Sequence, residues 1–317
     1  MKKVKVYIDG EAGTTGLKIR ERFKEKENTE ILTIDEALRK DSAERKKLLN
    51  AADFVFLCLP DNAAREAVSL IENPQVRVID ASTAHRTHPD WTYGFPELSG
   101  EHLKAVRNSK RVSVPGCYAS GFVALVYPLV KAGVIPADFS VTCFGISGYS
   151  GAGKAAITEY ENEERNPELN SARLYALSQE HKHMPEMQKH SGLNSPPMFN
   201  PMIDDFYRGM IICIPLQTRM LPKKHTAVEI IEIYKAHYPE SGEQSGPEKV
   251  RVKVQEKYES GFLAANTLSN CDDMELFAFA DSESERILLT ARLDNLGKGA
   301  SGAAVQCFDL MRSGYKK

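Results

Sequence analysis

The chain has 317 residues, about two domains at roughly 150 residues each, which argues against a disordered or purely structural protein. Charged residues make up 26%, and 41 basic side chains nearly cancel 43 acidic ones, so no field of one sign is available to hold nucleic acid or an anionic membrane. The longest apolar stretch, 112–130, is interrupted by Pro115, Gly116, Ser120 and Pro128, and no run approaches the ~20 residues of a membrane span.

The chain opens directly on an alternating strand pattern with neither a signal-peptide core nor a transit segment, and the expectation is a soluble, cytoplasmic protein. Short β-like runs at 4–8, 30–34, 54–59, 76–79 and 111–114 alternate with helical stretches, the rhythm of a parallel sheet with crossover helices. An amphipathic helix is predicted over 17–27, after a glycine turn. From 141 onward the runs lengthen, at 141–146, 209–215, 250–254, 275–280 and 286–293, and suit a second sheet, mostly antiparallel or mixed. Helices are predicted at 153–164 and 226–237, the segment 241–247 reads as an exposed turn, and the tail 299–311 has helical spacing. The six cysteines form no C-x-x-C pair, so reduced thiols are expected, with Cys58, Cys143 and Cys213 as small buried hydrophobes.

Gly10, Gly13, Thr14, Thr15 and Gly16 lie where a dinucleotide-binding turn belongs, after a strand and opening a helix. Glycines there let backbone N–H groups approach a pyrophosphate at the positive helix end. The spacing is G-x-x-G-x-x-G rather than G-x-G-x-x-G. Asp35, which ends the predicted second strand, favours the ribose hydroxyls of NAD, whereas Arg39 and Lys40 favour the 2′-phosphate of NADP. An Asp carboxylate ~4 Å from that phosphate costs about 4 kcal/mol per pair of unit charges, so NADP requires Asp35 to turn away or be outweighed.

Cys117 follows Pro115-Gly116 and opens an apolar stretch that stops at Gly133, which places it at a helix N-terminus. Unpaired N–H groups and the helix dipole there favour a thiolate, the placement a nucleophile requires, and the bland alternative is a buried capping thiol. Pro128 inside this helix would cost ~3 kcal/mol in a regular one, so a kink is expected. The best source of a base is 179–186, with His181 and His183 before Pro185. No metal is expected, because these histidines lack an H-E-x-x-H context. His85 and His88 read as loop residues.

With those residues in hand, the chain resembles the N-acetyl-gamma-glutamyl-phosphate reductase family in its shorter form, over nearly its whole length. The likeness is carried by the runs 10–16 (GEAGTTG), 80–86 (DASTAHR), 93–98 (YGFPEL), 115–118 (PGCY), 147–154 (SGYSGAGK), 181–186 (HKHMPE) and 294–300 (DNLGKGA). The resemblance implies an α/β fold: a Rossmann-like parallel-sheet NADP-binding domain over 1–116, completed by the C-terminal helix 297–317, and an α+β catalytic and oligomerisation domain with a mixed sheet over 117–296. It implies NADPH-dependent reduction of an acyl phosphate to an aldehyde through a thioester, with Cys117 as nucleophile and His181 as acid/base residue. It also implies Ser82 and Asn295 beside the cofactor, Ser147, Gly148, Glu186 and Arg208 at the substrate, and a homo-oligomer, expected to be a tetramer. The competing readings are aspartate-semialdehyde dehydrogenase, which shares the fold plan and the thioester route, and a non-catalytic dinucleotide-binding regulator.

Overall fold

The computed structural model describes residues 3–24, 26–239, 251–256, 258 and 260–314, so the segment 241–247 lies outside the described residues. The chain divides into two compact units, one built from residues up to 96, 101–115 and those from 300 onward, the other from 97–100 and 116–299.

In the first unit, the run Phe54-Val55-Phe56-Leu57 is apolar at every position and buried at every position, as a strand covered on both faces must be. It is β3 (Phe54–Leu57) of a sheet that also holds β1 (Val4–Asp9), β2 (Thr29–Leu32), β4 (Arg77–Asp80), β5 (Thr92–Tyr93) and β6 (Arg111–Ser113). The order is β2-β1-β3-β4-β6-β5 and every neighbouring pair is parallel. The strand period of two divides the apolar side chains between two helical layers. Val6, Ile8, Phe54 and Phe56 pack with Ile19 and Phe23 of α1 (Thr14–Phe23) and Phe308 of α9 (Gly302–Ser313). Tyr7, Val55, Leu57 and Val78 pack with Leu49 of α2 (Ser42–Ala51) and with Ala64 and Ala67 of α3 (Asp61–Ser69). The Phe308 ring meets Phe23 and Phe54 edge-on at centroid distances of 4.9 and 4.8 Å, so the far end of the chain closes this core. Helix α1 starts three residues before the predicted helix and ends at Phe23, where the chain turns through Asn28 at φ 59° into β2. Helix α4 (Gly100–Asn108) precedes β6.

Among the described residues, seven strands form the sheet of the second unit: β7 (Thr142–Gly148), β8 (Arg173–Leu174), β9 (Met198–Asp204), β10 (Met210–Gln217), β11 (Val252–Val254), β12 (Met274–Ala280) and β13 (Arg286–Leu293). The order is β11-β12-β13-β10-β7-β9-β8. β7 runs parallel to β9 and β11 to β12, and the other neighbours are antiparallel, which makes the sheet mixed. Helix α5 (Cys117–Lys131) packs on β10 and β13, α8 (Ala227–His237) on β11 and β12, and α7 (Met184–Ser191) on α5. α8 begins where Thr226 and Glu229 close a reciprocal capping box. The helix expected over 153–164 is shorter, α6 (Lys154–Tyr160), because Gly153 at φ 91° precedes it and Asn162 folds its side chain back to the Glu164 N–H.

Helix α5 remains one element through Pro128. The missing proline N–H would have served the Ala124 carbonyl, and the Tyr238 hydroxyl donates to that oxygen instead, at 3.0 Å. The Tyr234 hydroxyl donates to the next carbonyl, Leu125, at 2.9 Å. Two tyrosines at and beyond the end of α8 thus offset much of the proline's cost. No described helix is long and apolar enough to cross a membrane.

Candidate active site

In the first unit, the glycine turn does three separate jobs. Gly10 takes φ 85°, and a Cβ there would lie 2.3 Å from the Cys58 carbonyl oxygen, so the turn can pass the end of β3 only as glycine. A Cβ on Gly16 would lie 2.6 Å from the Gly10 carbonyl oxygen, so α1 packs directly on the turn. Gly13 is the N-cap of α1, and a Cβ there would meet the protein no closer than 3.4 Å, which leaves Thr14, Thr15 and Gly16 at a helix start whose first N–H groups have no partner within the helix. This is the geometry that the usual fingerprint asks of its three glycines, reached here with a different spacing.

Asp9, just before the turn, is buried and accepts from Nε and Nη2 of Arg45 at 3.2 and 2.9 Å. Burial would strip charge from the guanidinium, but contact with Asp9 outweighs it and holds Arg45 above its ordinary value. Asp35 lies three residues beyond the end of β2, and its carboxylate accepts the Ala37 N–H at 2.9 Å, capping a short 3-10 turn. Arg39 and Lys40 are exposed just beyond it. Ser82 donates from its hydroxyl and its N–H to the fully buried Asp80, which also holds His85 Nδ1 at 2.6 Å. His85, read from sequence as an ordinary loop residue, is buried and stacks on Trp91 at 4.1 Å.

In the second unit, the strand-to-helix turn places Gly116 as N-cap and Cys117 as the first residue of α5. The Gly116 N–H donates to Glu186 Oε2 at 3.1 Å, so a buried carboxylate on α7 holds the peptide that precedes the thiol. Tyr118 is buried beneath it, edge-on to His181 at 6.0 Å and to Phe199 at 5.1 Å, and donates to the Met202 carbonyl at 2.7 Å. Gly145 on β7 admits that ring, since a Cβ there would come within 2.5 Å of it. His181 Nδ1 accepts the His183 N–H at 3.1 Å, which in a neutral ring leaves the proton on Nε2. Tyr175 Oη lies 3.5 Å from that Nε2. Burial, first of all, pushes both the Tyr118 and Tyr175 phenols up, so both stay protonated. Cys117, His181 and Glu186 therefore gather at one end of α5.

The substrate-side expectations separate. Ser147 and Gly148 end β7; Ser147 lies against the Tyr118 hydroxyl, and the Gly148 N–H donates to Gly209. Arg208 Nη2 is 2.5 Å from Asp294 and Nη1 binds Asn270, so the carboxylate its guanidinium grips is the protein's own. Asn295 receives the Gly209 N–H on its amide oxygen at 2.8 Å and donates to Ser150 Oγ at 3.1 Å. Three features had no single-residue signal in the sequence: Tyr175, the buried Lys298–Glu97 pair at 2.6 Å, and Gly299, whose Cβ would lie 2.8 Å from that of Cys117. Glu97, Lys298 and Gly299 do fall inside two of the runs that carried the resemblance.

Residues 117–295 match the family model described as semialdehyde dehydrogenase, dimerisation domain, and 4–106 match semialdehyde dehydrogenase, NAD binding domain. The chain belongs to the semialdehyde dehydrogenase family. It is 46% identical over 312 residues to N-acetyl-gamma-glutamyl-phosphate reductase 2 of Pseudomonas putida, covering 96% of each chain. It is 44% identical to N-acetyl-gamma-glutamyl-phosphate reductase of Trichormus variabilis, covering 98% of this chain and 97% of the relative. Among solved structures, aspartate semialdehyde dehydrogenase of Francisella tularensis superposes with a TM-score of 0.72 at 16% identity, covering 98% of this chain and 100% of that one. At that identity the likeness is one of fold, and it bears out the two-domain α/β architecture.

Proposed function

We propose that the chain is an NADP-dependent N-acetyl-gamma-glutamyl-phosphate reductase of arginine biosynthesis, which reduces N-acetyl-L-glutamyl 5-phosphate to N-acetyl-L-glutamate 5-semialdehyde with release of phosphate. The observation that carries the reading is the gathering of Cys117, His181 and Glu186 at the start of α5, in a chain so close to reductases of that name. The helix end favours the Cys117 thiolate. The sulfur attacks the acyl carbon, the C–S bond forms, and the C–O bond to phosphate breaks with the pair leaving on phosphate. NADPH, when bound, supplies the hydride that reduces the resulting thioester. His181 donates a hydrogen bond from its Nε2–H to the carbonyl oxygen as charge builds there, the proton staying on the ring, and backbone N–H groups at the start of α5 add further donors. The C–S bond then breaks, the pair returns to sulfur and the aldehyde leaves. Glu186 keeps the Gly116 peptide, and so the thiol, in register.

The glycine turn fits a pyrophosphate at Gly13, Thr14, Thr15 and Gly16, with Ser82 just past the end of β4. Asp35 is turned to the Ala37 N–H, which leaves the 2′-phosphate to Arg39 and Lys40 and supports NADP over NAD. Ser147 and Gly148 are placed to bind substrate, while Asn295 acts from within the 294–299 turn and Arg208 braces it through Asp294. The sheet face that bears exposed Phe144, Pro215 and Leu288 supports self-association, as the name of the matching model suggests, and a homotetramer is the finer form of that proposal. The cysteines are all free thiols, in keeping with a cytoplasmic location.

The test is the reverse reaction: purified protein with phosphate, NADP and N-acetylglutamate semialdehyde should form NADPH. Faster turnover of aspartate semialdehyde would overturn the substrate, and turnover of neither would favour a regulator. Replacing Arg39 and Lys40 together by Ala should raise the KM for NADPH while leaving that for NADH unchanged.

A further inference from the structure

We propose that Lys298 is a positioning residue for Cys117, acting through the turn 294–299. The inference rests on Cys117 being the nucleophile, as proposed above. The turn is tied at its start: the Asp294 carbonyl accepts the N–H groups of Gly297 and Gly299 at 3.1 and 2.9 Å. The Asp294 carboxylate is fully buried and accepts from Arg208, the Asn270 N–H and the Leu296 N–H. Gly297 is seated on the Cys271 carbonyl, where a Cβ would lie 2.2 Å from the oxygen. Two residues on, Gly299 lies against the nucleophile itself, its Cβ position 2.8 Å from the Cys117 Cβ and 3.3 Å from its Cα.

Lys298 stands between these two glycines. Its Nζ meets Glu97 Oε1 at 2.6 Å, with the two side chains 3% and 7% exposed. A pair so deeply buried is weak evidence of stability, because the desolvation cost of two charges is comparable with their attraction and an apolar pair of equal volume would serve as well. What an ion pair adds is direction: it is satisfied in one geometry. That geometry fixes the backbone of residue 298, and with it the height of Gly299 over Cys117. Loosening the pair lets the turn lift and the thiol leave the line of the α5 N-terminus, where N–H groups favour the thiolate.

The test is the pH dependence of Cys117 alkylation by iodoacetamide, read on the Cys117 peptide by mass spectrometry in the full chain, alongside kcat. In Lys298→Met and Glu97→Gln the alkylation midpoint should rise toward the ~8.5 of an unperturbed thiol. In both, kcat should fall by ~10-fold or more with NADPH affinity unchanged, and Lys298→Arg should restore both readouts. Midpoints at the wild-type value in both variants, or a loss that Lys298→Arg fails to restore, would overturn the proposal. Should Lys298→Met not fold, Glu97→Gln carries the same comparison alone. The alkylation reading needs no substrate, so a wild-type chain inactive on the acyl phosphate would count against the functional reading and leave this comparison standing.

Discussion

Gly299→Ala is the sharpest probe of how the nucleophile is seated. The added methyl would lie 2.8 Å from the Cys117 Cβ and 3.1 Å from the Asp294 carbonyl oxygen. Carbon atoms rest at about 3.5–4.0 Å, so the helix start and the turn must separate by roughly 1 Å. Overpacking of this kind costs about 1–3 kcal/mol of stability, and a 1 Å displacement of a reacting group costs about 100-fold in rate. The expectation is therefore a chain that still melts cooperatively, a few degrees lower, with kcat down ~100-fold and NADPH affinity near wild type. Thermal unfolding, nucleotide titration and steady-state kinetics separate the three. Gly261→Ala, where nothing lies within 4 Å, serves as the control and should be neutral. Wild-type kcat in Gly299→Ala would refute the reasoning, since the turn would then have room that the geometry denies it.

Two further outcomes follow from packing and charge. Tyr238→Phe removes the donor that replaces the Pro128 N–H and should cost about 1–2 kcal/mol of unfolding free energy; in a Pro128→Ala background, where residue 128 supplies its own N–H to Ala124, the same change should cost much less, and equal losses in both backgrounds would contradict the account. Asp273 is penalised by burial, yet Lys253 at 2.6 Å and Arg251 at 3.4 Å outweigh this and hold its carboxyl below the ordinary value. A folded value below the unfolded one, near 3.9, means stability that is present above that pH and is lost as pH falls through the folded value. Asp273→Asn should accordingly lower the melting temperature at pH 7, by about 1 kcal/mol or less in free energy, and match the wild type near pH 2, whereas a constant difference would assign the effect to packing.

Much of the fold was legible because its signals are local. The all-apolar run 54–57, the glycine turn at 10–16 and the Pro-Gly-Cys start of α5 each state their own environment, and the change to longer alternating runs after 141 marks the second sheet. The place of Cys117 at a helix start was legible for the same reason. What escaped was set by partners distant in sequence. Nothing near Arg208 in sequence announces that its guanidinium meets Asp294, nor near Asn295 that its amide meets Gly209 and Ser150. His85 is the loop residue it was read as, but its burial between Asp80 and Trp91 escaped, because neither neighbour forms a periodic pattern with it. Lys298 and Glu97 are ordinary charged residues until the fold buries them together.

The central claim is that the acyl group passes through a covalent bond to Cys117. Rapid quenching in acid of the enzyme mixed with N-acetylglutamyl phosphate in the absence of NADPH, followed by peptide mass spectrometry, tests it most directly. The account predicts an N-acetylglutamyl adduct on the Cys117 peptide that forms with phosphate release, disappears when NADPH is added, and is absent from Cys117→Ser. Phosphate release and aldehyde formation at full rate with no adduct on that side chain, or with the Ser variant fully active, would contradict it.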